Sequence, residues 1–171
     1  MNDHNEDREK LRLIQAVFEN AVKNNTIDDL KPYTDPEFSF VSFTDRSFSD
    51  FDTFSRQWSS TRKEMVGSGS FSTNLEPDPS LFVDDIAICH GNSQNNMVNN
   101  KGVEYEFTSH WTVVFKRREG EWKILRAHNS LNPFSNPMLK HAVKATIFKT
   151  GLFAFISGGV ICSLLTYLIQ A

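Results

Sequence analysis

The C-terminal part of the chain places the strongest constraint on its fold, because it lacks charged residues altogether. None occurs from Thr150 to Ala171, and the segment from Gly151 to Ile169 is almost continuously apolar. A helix rises about 1.5 Å per residue, so about 20 such residues cross the roughly 30 Å hydrocarbon core of a bilayer. A buried core helix is the alternative, but a domain of this size rarely encloses a helix that is apolar on every face. The sequence therefore predicts a transmembrane helix over residues 150–170, with the lipid bilayer as its partner.

Basic residues flank this segment on its N-terminal side only. Residues 139–149 form a linker that contains three lysines, whereas only Gln170 and Ala171 follow the predicted span. Positively charged flanks usually remain on the cytoplasmic side of a membrane. We therefore expect a single-pass, tail-anchored protein of the cytoplasmic membrane whose N-terminal domain, residues 1–138, lies in the cytoplasm.

The composition excludes several other classes of protein. The formal net charge of −3 is too small to indicate nucleic-acid binding, and no basic stripe with interleaved aromatic residues occurs in the first 135 residues. Cys89 and Cys162 lie in different environments, so no disulfide is expected. The polar, acidic start does not fit a secretory signal. We find no glycine-rich phosphate loop, Cys-x-x-Cys motif or nucleophile elbow, and we expect neither a cofactor nor a metal.

Helical patterns come first in residues 1–138, and strand patterns dominate afterwards. Leu11, Ile14, Phe18 and Val22 recur at helical spacing, which predicts an amphipathic helix over residues 8–23. The other expected elements are a short helix from Thr26 to before Pro32, a strand over 38–43, a helix capped by residues 49–52, and strands over 66–73, 81–90, 103–117 and 122–130. An Asn-rich loop is expected over residues 91–102. This order, with a long antiparallel sheet after the helices, predicts an α+β domain.

The last two predicted strands form a hairpin whose register decides which side chains face inward. A two-residue turn would put Glu119 at positive φ, so we expect a type I turn with Gly120 in a left-handed bulge. Counting back from this turn places Trp111 opposite Ala127 and Ser109 opposite Asn129. One face then carries Tyr105, Phe107, Trp111, Val113, Phe115 and Leu125. The other face carries His110 opposite His128, with Thr112, Trp122, Arg126 and Ser130.

Several short motifs, taken in this order, resemble the nuclear-transport-factor-2-like superfamily. They are Tyr33-Thr-Asp-Pro-Glu-Phe38, Phe107-Thr-Ser-His-Trp-Thr-Val-Val-Phe115, Gly120-Glu-Trp-Lys-Ile124 and His128-Asn-Ser130. The likeness covers residues 8–138 and is greatest to the SnoaL-like and kinase-association-domain-like branch. It implies a cone in which a curved antiparallel sheet wraps around N-terminal helices and leaves a pocket at its open end. We expect a homodimer of such cones.

The resemblance and the hairpin register together indicate which residues line the pocket. The candidate ligand-binding residues are Trp58, Tyr105, Phe107, Ser109, Trp111 and Asn129. In the kinase association domains, two arginines point into the pocket from positions that here hold Val113 and Asn129. This departure argues against recognition of an anionic ligand.

Catalytic candidates follow from the steroid isomerases of this fold, which use a carboxylate base and a tyrosine in an apolar pocket. Here the candidates are Asp35, Asp45 and Tyr33, with Tyr105 as a second tyrosine. Asp35 precedes a proline and Asp45 lies in Thr44-Asp-Arg-Ser47, and both contexts favour turn formation over catalysis.

Three histidines on the predicted strands raise the alternative of a metal site. His110 and His128 could bind zinc together with His90. No spacing places a third ligand, however, so a hydrogen-bonded pair at a sheet or dimer surface is the favoured interpretation.

Two functional hypotheses remain open at this point. The first is a membrane-tethered binding or assembly module whose pocket accepts a small apolar ligand. The second is an isomerase or hydro-lyase acting on a small apolar carbonyl compound. Whether the protein is an enzyme is undecided, and the sequence leans against it. A carboxylate and a tyrosine converging in a deep pocket would favour the enzyme.

The flanking charges predict that protease added to intact cells spares the N-terminal domain, because the basic linker holds it in the cytoplasm. Immunoblotting against the domain, before and after permeabilisation, measures this. Digestion of residues 1–138 in intact cells would contradict the predicted orientation.

Overall fold

The computed structural model describes residues 4–134 without a gap, and residues 136, 137, 139, 140, 143, 144, 146–148 and 150 beyond them. These belong to two compact units, Met1–Asn132 and Pro133–Ala171. In the second unit, the described residues from 137 onward are helical. Among all described residues, no helix is long and apolar enough to cross a membrane. The predicted transmembrane helix over 150–170 lies outside the described residues, apart from Thr150.

The first unit consists of N-terminal helices followed by a seven-stranded sheet. Its elements are α1 (Asn5–Asn24), a 3-10 helix (Ile27–Tyr33), β1 (Thr34–Val41), β2 (Ser47–Phe48), α2 (Phe51–Met65), β3 (Ser70–Pro77), β4 (Leu81–Val83), β5 (Ile86–Val98), β6 (Glu104–Arg118) and β7 (Glu121–Ser130). The predicted α+β class is confirmed.

Both α-helices form where the sequence supplies an apolar face and a suitable end. α1 buries Leu11, Ile14 and Val22, and it ends at Asn25, whose φ of 59° is the left-handed conformation that Asn tolerates. Asp50 begins α2 by accepting a hydrogen bond of 2.7 Å from the backbone N–H of Thr53. This cap satisfies one of the free N–H groups at the start of the helix.

The sheet is curved and open, and its strand order is β2-β1-β7-β6-β5-β3, with β4 paired to β5. Antiparallel pairing joins all neighbours except β1 and β7, which run parallel with Val41 opposite His128. The expectation of a purely antiparallel sheet is therefore wrong. Many residues separate β1 from β7, so no tight turn fixes their relative direction.

β5 extends through most of the segment that was expected to be a loop. Residues 91–98 pair with β3 on one side and with β6 on the other. Ser93 and Asn95 are buried there, and Asn95 Nδ2 donates to the backbone carbonyl of Phe107 at 3.2 Å. Pairing on both edges thus overrides the low strand propensity of asparagine.

The β6–β7 turn also differs from the prediction. Arg118 pairs with Glu121, and the two residues between them, Glu119 and Gly120, have φ of 53° and 84°. The hairpin therefore closes with a two-residue turn that accepts Glu119 in the left-handed region. That conformation costs a non-glycine residue about 1–2 kcal/mol, and the long ladder on either side of the turn offsets it.

A bulge at Leu125 resets the hairpin register. Phe115 lies opposite Ile124 and Val114 opposite Arg126, so Leu125 has no partner. Past the bulge Trp111 lies opposite Asn129, not Ala127 as expected, and Val113 takes Ala127 as its partner. The expected pairing of Ser109 with Asn129 is likewise wrong.

The bulge also reverses the expected faces of two large side chains near the turn. Trp122 was expected on the outer face, but it is 2% exposed and packs in a core cluster with Leu11 and Phe115. Leu125 was expected inside, but it is only half-buried. Ile124 instead lies opposite Phe115 and packs against both core clusters.

We therefore expect Trp122→Ala to destabilise the fold by about 3–5 kcal/mol, because a buried aromatic side chain is lost. Leu125→Ala is the matched control on the same strand and should cost clearly less. Urea denaturation of the full chain in a mild detergent, followed by circular dichroism, measures both. Equal losses would contradict the bulged register.

A candidate ligand-binding cavity

An apolar cavity of about 510 Å³ lies inside the first unit, between the two α-helices and the sheet. α1 contributes side chains from Arg8 to Val22 to its wall. At about 1.5 Å per residue, the cavity follows this helix for about 20 Å. Protein interiors are otherwise closely packed and hold few voids larger than a water molecule. A cavity of this size and shape is therefore a candidate site for an elongated molecule.

An aromatic cluster forms the wall between α2 and strands β1 and β2. Phe54 is its centre, since its ring lies 4.9 Å from that of Phe40, 5.7 Å from that of Phe48 and 6.2 Å from that of Trp58. Trp58 in turn lies 6.1 Å from Phe71 of β3. The contacts of Phe54 with Phe40 and Phe48 are edge-to-face, an arrangement that aromatic pairs prefer. The wall thus offers a continuous hydrocarbon surface to a ligand.

One end of the cavity lies beside the first half of α1 and the β3–β4 connection. Arg8 lies over the ring of Phe82 at 5.6 Å, and Arg12 forms an ion pair with Glu9. Asp78 also lines this end and lies 3.2 Å from His90. We call this the helix end.

The other end is formed by the turn between β1 and β2, the middle of α2 and the end of β7. Ser42, Thr44 and Arg46 line it from the turn, and His128 and Asn129 line it from β7. The hydroxyls of Ser42 and Thr44 lie 2.7 Å apart and bond to one another. We call this the turn end.

Two polar atoms in the cavity wall are buried without a hydrogen-bond partner. They are Nε1 of Trp58 and Oδ1 of Asn129, and no other side-chain nitrogen or oxygen in the described part of the chain is in this state. Burying a polar group without a partner costs about 1–3 kcal/mol. Both atoms have almost no accessible surface, so they lie within the wall and do not open onto the cavity.

The structure brings three of the six predicted ligand-binding residues to the cavity. Trp58, Trp111 and Asn129 line it, and Nε1 of Trp111 donates to the backbone carbonyl of Asn92 at 2.8 Å. Tyr105, Phe107 and Ser109 do not belong to the lining. They precede Trp111 on β6 and lie beyond the part of the strand that borders the cavity.

Phe107 and Ser109 have a structural role instead. Phe107 is buried against the ring of Phe43, with the centroids 6.4 Å apart. Oγ of Ser109 lies 2.6 Å from Oγ of Ser93 and accepts a hydrogen bond of 3.1 Å from Asn95. This buried polar network satisfies its own members, and Ser93 and Asn95 extend it to the cavity wall.

Asp35, the first catalytic candidate, belongs to an ion pair outside the cavity lining. Its side chain is fully buried, and Oδ2 accepts a hydrogen bond of 2.8 Å from Nε of Arg118. Oδ1 accepts another from the backbone N–H of Glu37 at 2.9 Å. The hydrogen bond from Arg118 lowers the pKa of Asp35, against the opposing effect of burial, and the Glu37 N–H adds to the lowering. A carboxylate held this firmly in its ionised form is a weak proton acceptor.

The other catalytic candidates also lie outside the lining. Asp45 is an exposed turn residue with a φ of 60°, and its backbone N–H bonds to the carbonyl of Ser42 at 3.1 Å. Tyr33 packs against the core cluster that contains Trp122. Asp35, Asp45 and Tyr33 therefore all lie outside the cavity lining.

The three histidines lie at separate, exposed positions of the sheet, and His128 lines the turn end of the cavity, not the opposite face as expected. His128 lies opposite Thr112 and His110 opposite Ser130, so the predicted His110–His128 pair does not form. The register is shifted by two residues, one from the two-residue turn and one from the bulge at Leu125. Among the described residues, no group of three His, Cys, Asp or Glu side chains is arranged to hold a metal ion.

Sequence reasoning missed Gln15 and Arg46, two polar residues of the lining. Gln15 lies on the apolar face of α1, and its side chain donates to Glu19 at 3.0 Å and to the backbone carbonyl of Leu75 at 3.1 Å. Gln15 falls on the same helix face as Leu11, Phe18 and Val22, so their spacing could have predicted its place in the lining. Nothing in the sequence indicates that the β1–β2 turn brings Arg46 to the cavity.

A curved open sheet that encloses a cavity together with N-terminal helices defines the nuclear-transport-factor-2-like fold. Residues 12–134 match the model of the SnoaL-like domain family. The chain therefore belongs to the SnoaL-like family. None of the curated proteins compared with this chain matches it.

Solved structures confirm the fold at low sequence identity. An NTF2-like protein with a cystatin-like fold from Novosphingobium aromaticivorans superimposes with a TM-score of 0.65 at 16% identity, over 80% of this chain and 88% of that one. A conserved protein from Planctomyces limnophilus gives 0.64 at 16% identity, over 74% and 96%. A putative dehydratase of the NTF2-like family from Streptomyces avermitilis gives 0.63 at 15% identity, over 74% and 97%.

The Asp35–Arg118 pair predicts an acid-dependent loss of stability. The pKa of Asp35 is lower in the folded protein than in the unfolded chain. The ionised carboxylate therefore stabilises the fold fully above the unfolded-state pKa of about 3.9. This contribution is lost as the pH falls through the lowered pKa of the folded state. Asp35→Asn should therefore lower stability near neutral pH and flatten its decline in acid.

Asp45→Asn is the matched control, since it makes the same change in an exposed turn. It should leave both the stability and its pH dependence close to those of the wild type. Urea midpoints from about pH 6 to about pH 3 measure the effect. Parallel pH profiles for wild type and Asp35→Asn would contradict the assignment.

Proposed function

We propose that this chain binds a small, elongated and mainly apolar molecule in its cavity. The observation that carries this proposal is the cavity itself, which extends beneath α1 and is walled by aliphatic and aromatic side chains. Its volume of about 510 Å³ falls within the range of roughly 300–1,000 Å³ that is usual for ligand pockets. Burial of a ligand's hydrocarbon surface there would supply the binding energy at roughly 25 cal/mol per Å².

The arrangement of acids favours binding over catalysis. An isomerase or hydro-lyase of this fold needs a carboxylate or histidine base poised inside an apolar pocket. Among the described lining residues the only carboxylate is Asp78, which is exposed and next to His90, and no tyrosine is present. The one histidine of the described lining, His128, is also exposed, so neither group is a base enclosed in the apolar part of the cavity. The putative dehydratase from Streptomyces avermitilis shares the fold at 15% identity, which is too low to transfer an activity. The isomerase or hydro-lyase activity remains the second candidate.

We also propose that residues 150–170 anchor the chain in the cytoplasmic membrane, with the ligand-binding domain in the cytoplasm. The support is the uncharged stretch from Thr150 to Ala171 and the lysines that precede it. Assembly into a homodimer remains a prediction that follows from the resemblance to the superfamily. Size-exclusion chromatography with light scattering would measure it.

Filling the cavity should abolish ligand binding without unfolding the domain. Ala127 lies in the lining on β7, and Ala127→Phe would place a ring in the empty space. We expect wild type to bind a neutral fluorescent probe such as N-phenyl-1-naphthylamine, and Ala127→Phe to weaken this binding at least about tenfold, which corresponds to about 1.4 kcal/mol.

Thr108→Phe is the matched control, because it adds the same ring to an exposed position of β6. It should bind the probe as the wild type does. Fluorescence titration of the full chain in a neutral detergent measures all three proteins. Unchanged binding by Ala127→Phe, with circular dichroism showing a folded protein, would contradict the proposed site.

A further inference from the structure

The charges at the helix end of the cavity are compensated by neighbouring groups. Arg12 is paired with Glu9, and Arg8 lies over Phe82 and contacts Oδ1 of Asn5 at 3.5 Å. Asp78 adds a negative charge to this same end. A charged group of a ligand would therefore gain little at the helix end.

The turn end holds a guanidinium that has no such compensation. Arg46 lines the cavity there with an exposed side chain, which in the described part of the chain has neither an ion-pair partner nor a hydrogen-bond partner. No carboxylate lines this end, because Asp45 next to Arg46 lies outside the lining. Among the described lining residues of the turn end, Arg46 is thus the side chain that offers a positive charge at the rim of an apolar cavity. A guanidinium without an anion is satisfied by a ligand group that carries acceptor oxygens and a negative charge.

We propose that the ligand is a monocarboxylate amphiphile, with its hydrocarbon body along α1 and its carboxylate at Arg46. This inference rests on the proposed function, since it names the class of molecule that the cavity binds. One guanidinium balances one negative charge, which favours a carboxylate over a phosphate dianion.

Nonanoic acid and nonanamide test the charge, because they have the same number of heavy atoms and differ only in the head group. At pH 8 the acid is ionised and the amide is neutral. The full chain in a neutral detergent should bind the acid about tenfold more tightly than the amide, as expected for a charge-assisted hydrogen bond in a partly desolvated site. Displacement of the fluorescent probe measures both affinities.

Arg46→Gln should remove the preference for the acid and leave the affinity for the amide within about twofold, since hydrocarbon burial is unchanged. Arg56→Gln is the matched control, because Arg56 is on α2 outside the lining and donates to Thr53. It should keep the preference. Each ligand partitions into detergent to the same extent for every variant. The ratio of affinities between two variants is therefore independent of this partition.

Equal affinity of wild type for acid and amide, or a preference that survives Arg46→Gln, would overturn the inference. A preference lost in Arg12→Gln instead would also overturn it, since it would place the head group at the helix end. In all these outcomes the ligands still displace the probe, so the proposed function stands. Failure of every compound and of the probe to bind would reject the proposed function itself.

Discussion

The indole of Trp122 fixes the position of α1, and the cavity exists because of how that helix is held. Nε1 of Trp122 donates to Asp7 at 3.0 Å, and Asp7 also forms a 2.7 Å ion pair with Arg117, whose guanidinium lies 4.5 Å from the indole ring. Burial raises the pKa of Asp7, but the hydrogen bonds from Trp122, His4 and Arg117 together outweigh it and leave the pKa below its usual value. The first turn of α1 is therefore attached to the β6–β7 hairpin by a polar cluster.

Hydrogen bonds at two further points hold α1 along the rest of its length. Glu19 accepts a hydrogen bond of 2.8 Å from the backbone N–H of Leu75 on β3, beside the contact from Gln15 to the same residue. Arg62 of α2 donates to the carbonyl of Val22 at 3.0 Å, near the end of the helix. Between these points the apolar face of α1 packs in the core cluster that contains Trp122, and the same helix forms one wall of the cavity.

The sequence predicted the fold well and the site only in part, and the difference has a physical cause. Periodic apolar residues such as Leu11 and Ile14 indicate a helix locally, and those elements were found. The bulge at Leu125, by contrast, depends on a turn that accepts Glu119 at positive φ, which local preference argues against. A bulge of one residue moves every side chain between it and the turn to the other face of the sheet. The expected faces of Trp122 and Leu125 were therefore wrong.

Residues that reach the cavity through tertiary contacts were harder still to predict. Trp111 and Asn129 were assigned correctly to one face, because an error of two residues in register preserves the face. The sequence made Asp35 a reasonable catalytic candidate, but its carboxylate is bound by Arg118, which is distant in sequence. No sequence pattern predicted the position of Arg46, because its place at the cavity follows from the path of the β1–β2 turn.

The proposed ligand chemistry and the proposed membrane anchor are connected by partitioning. A molecule with a hydrocarbon body is far more concentrated in a bilayer than in water. Residues 133–149 separate the first unit from the predicted span, and even a fully extended chain of this length reaches at most about 60 Å. The cavity would then remain close to the bilayer in which its ligand is concentrated. A cation at the turn end suits such a source, because a carboxylate head group lies at the water boundary while its hydrocarbon body transfers from one apolar environment to another.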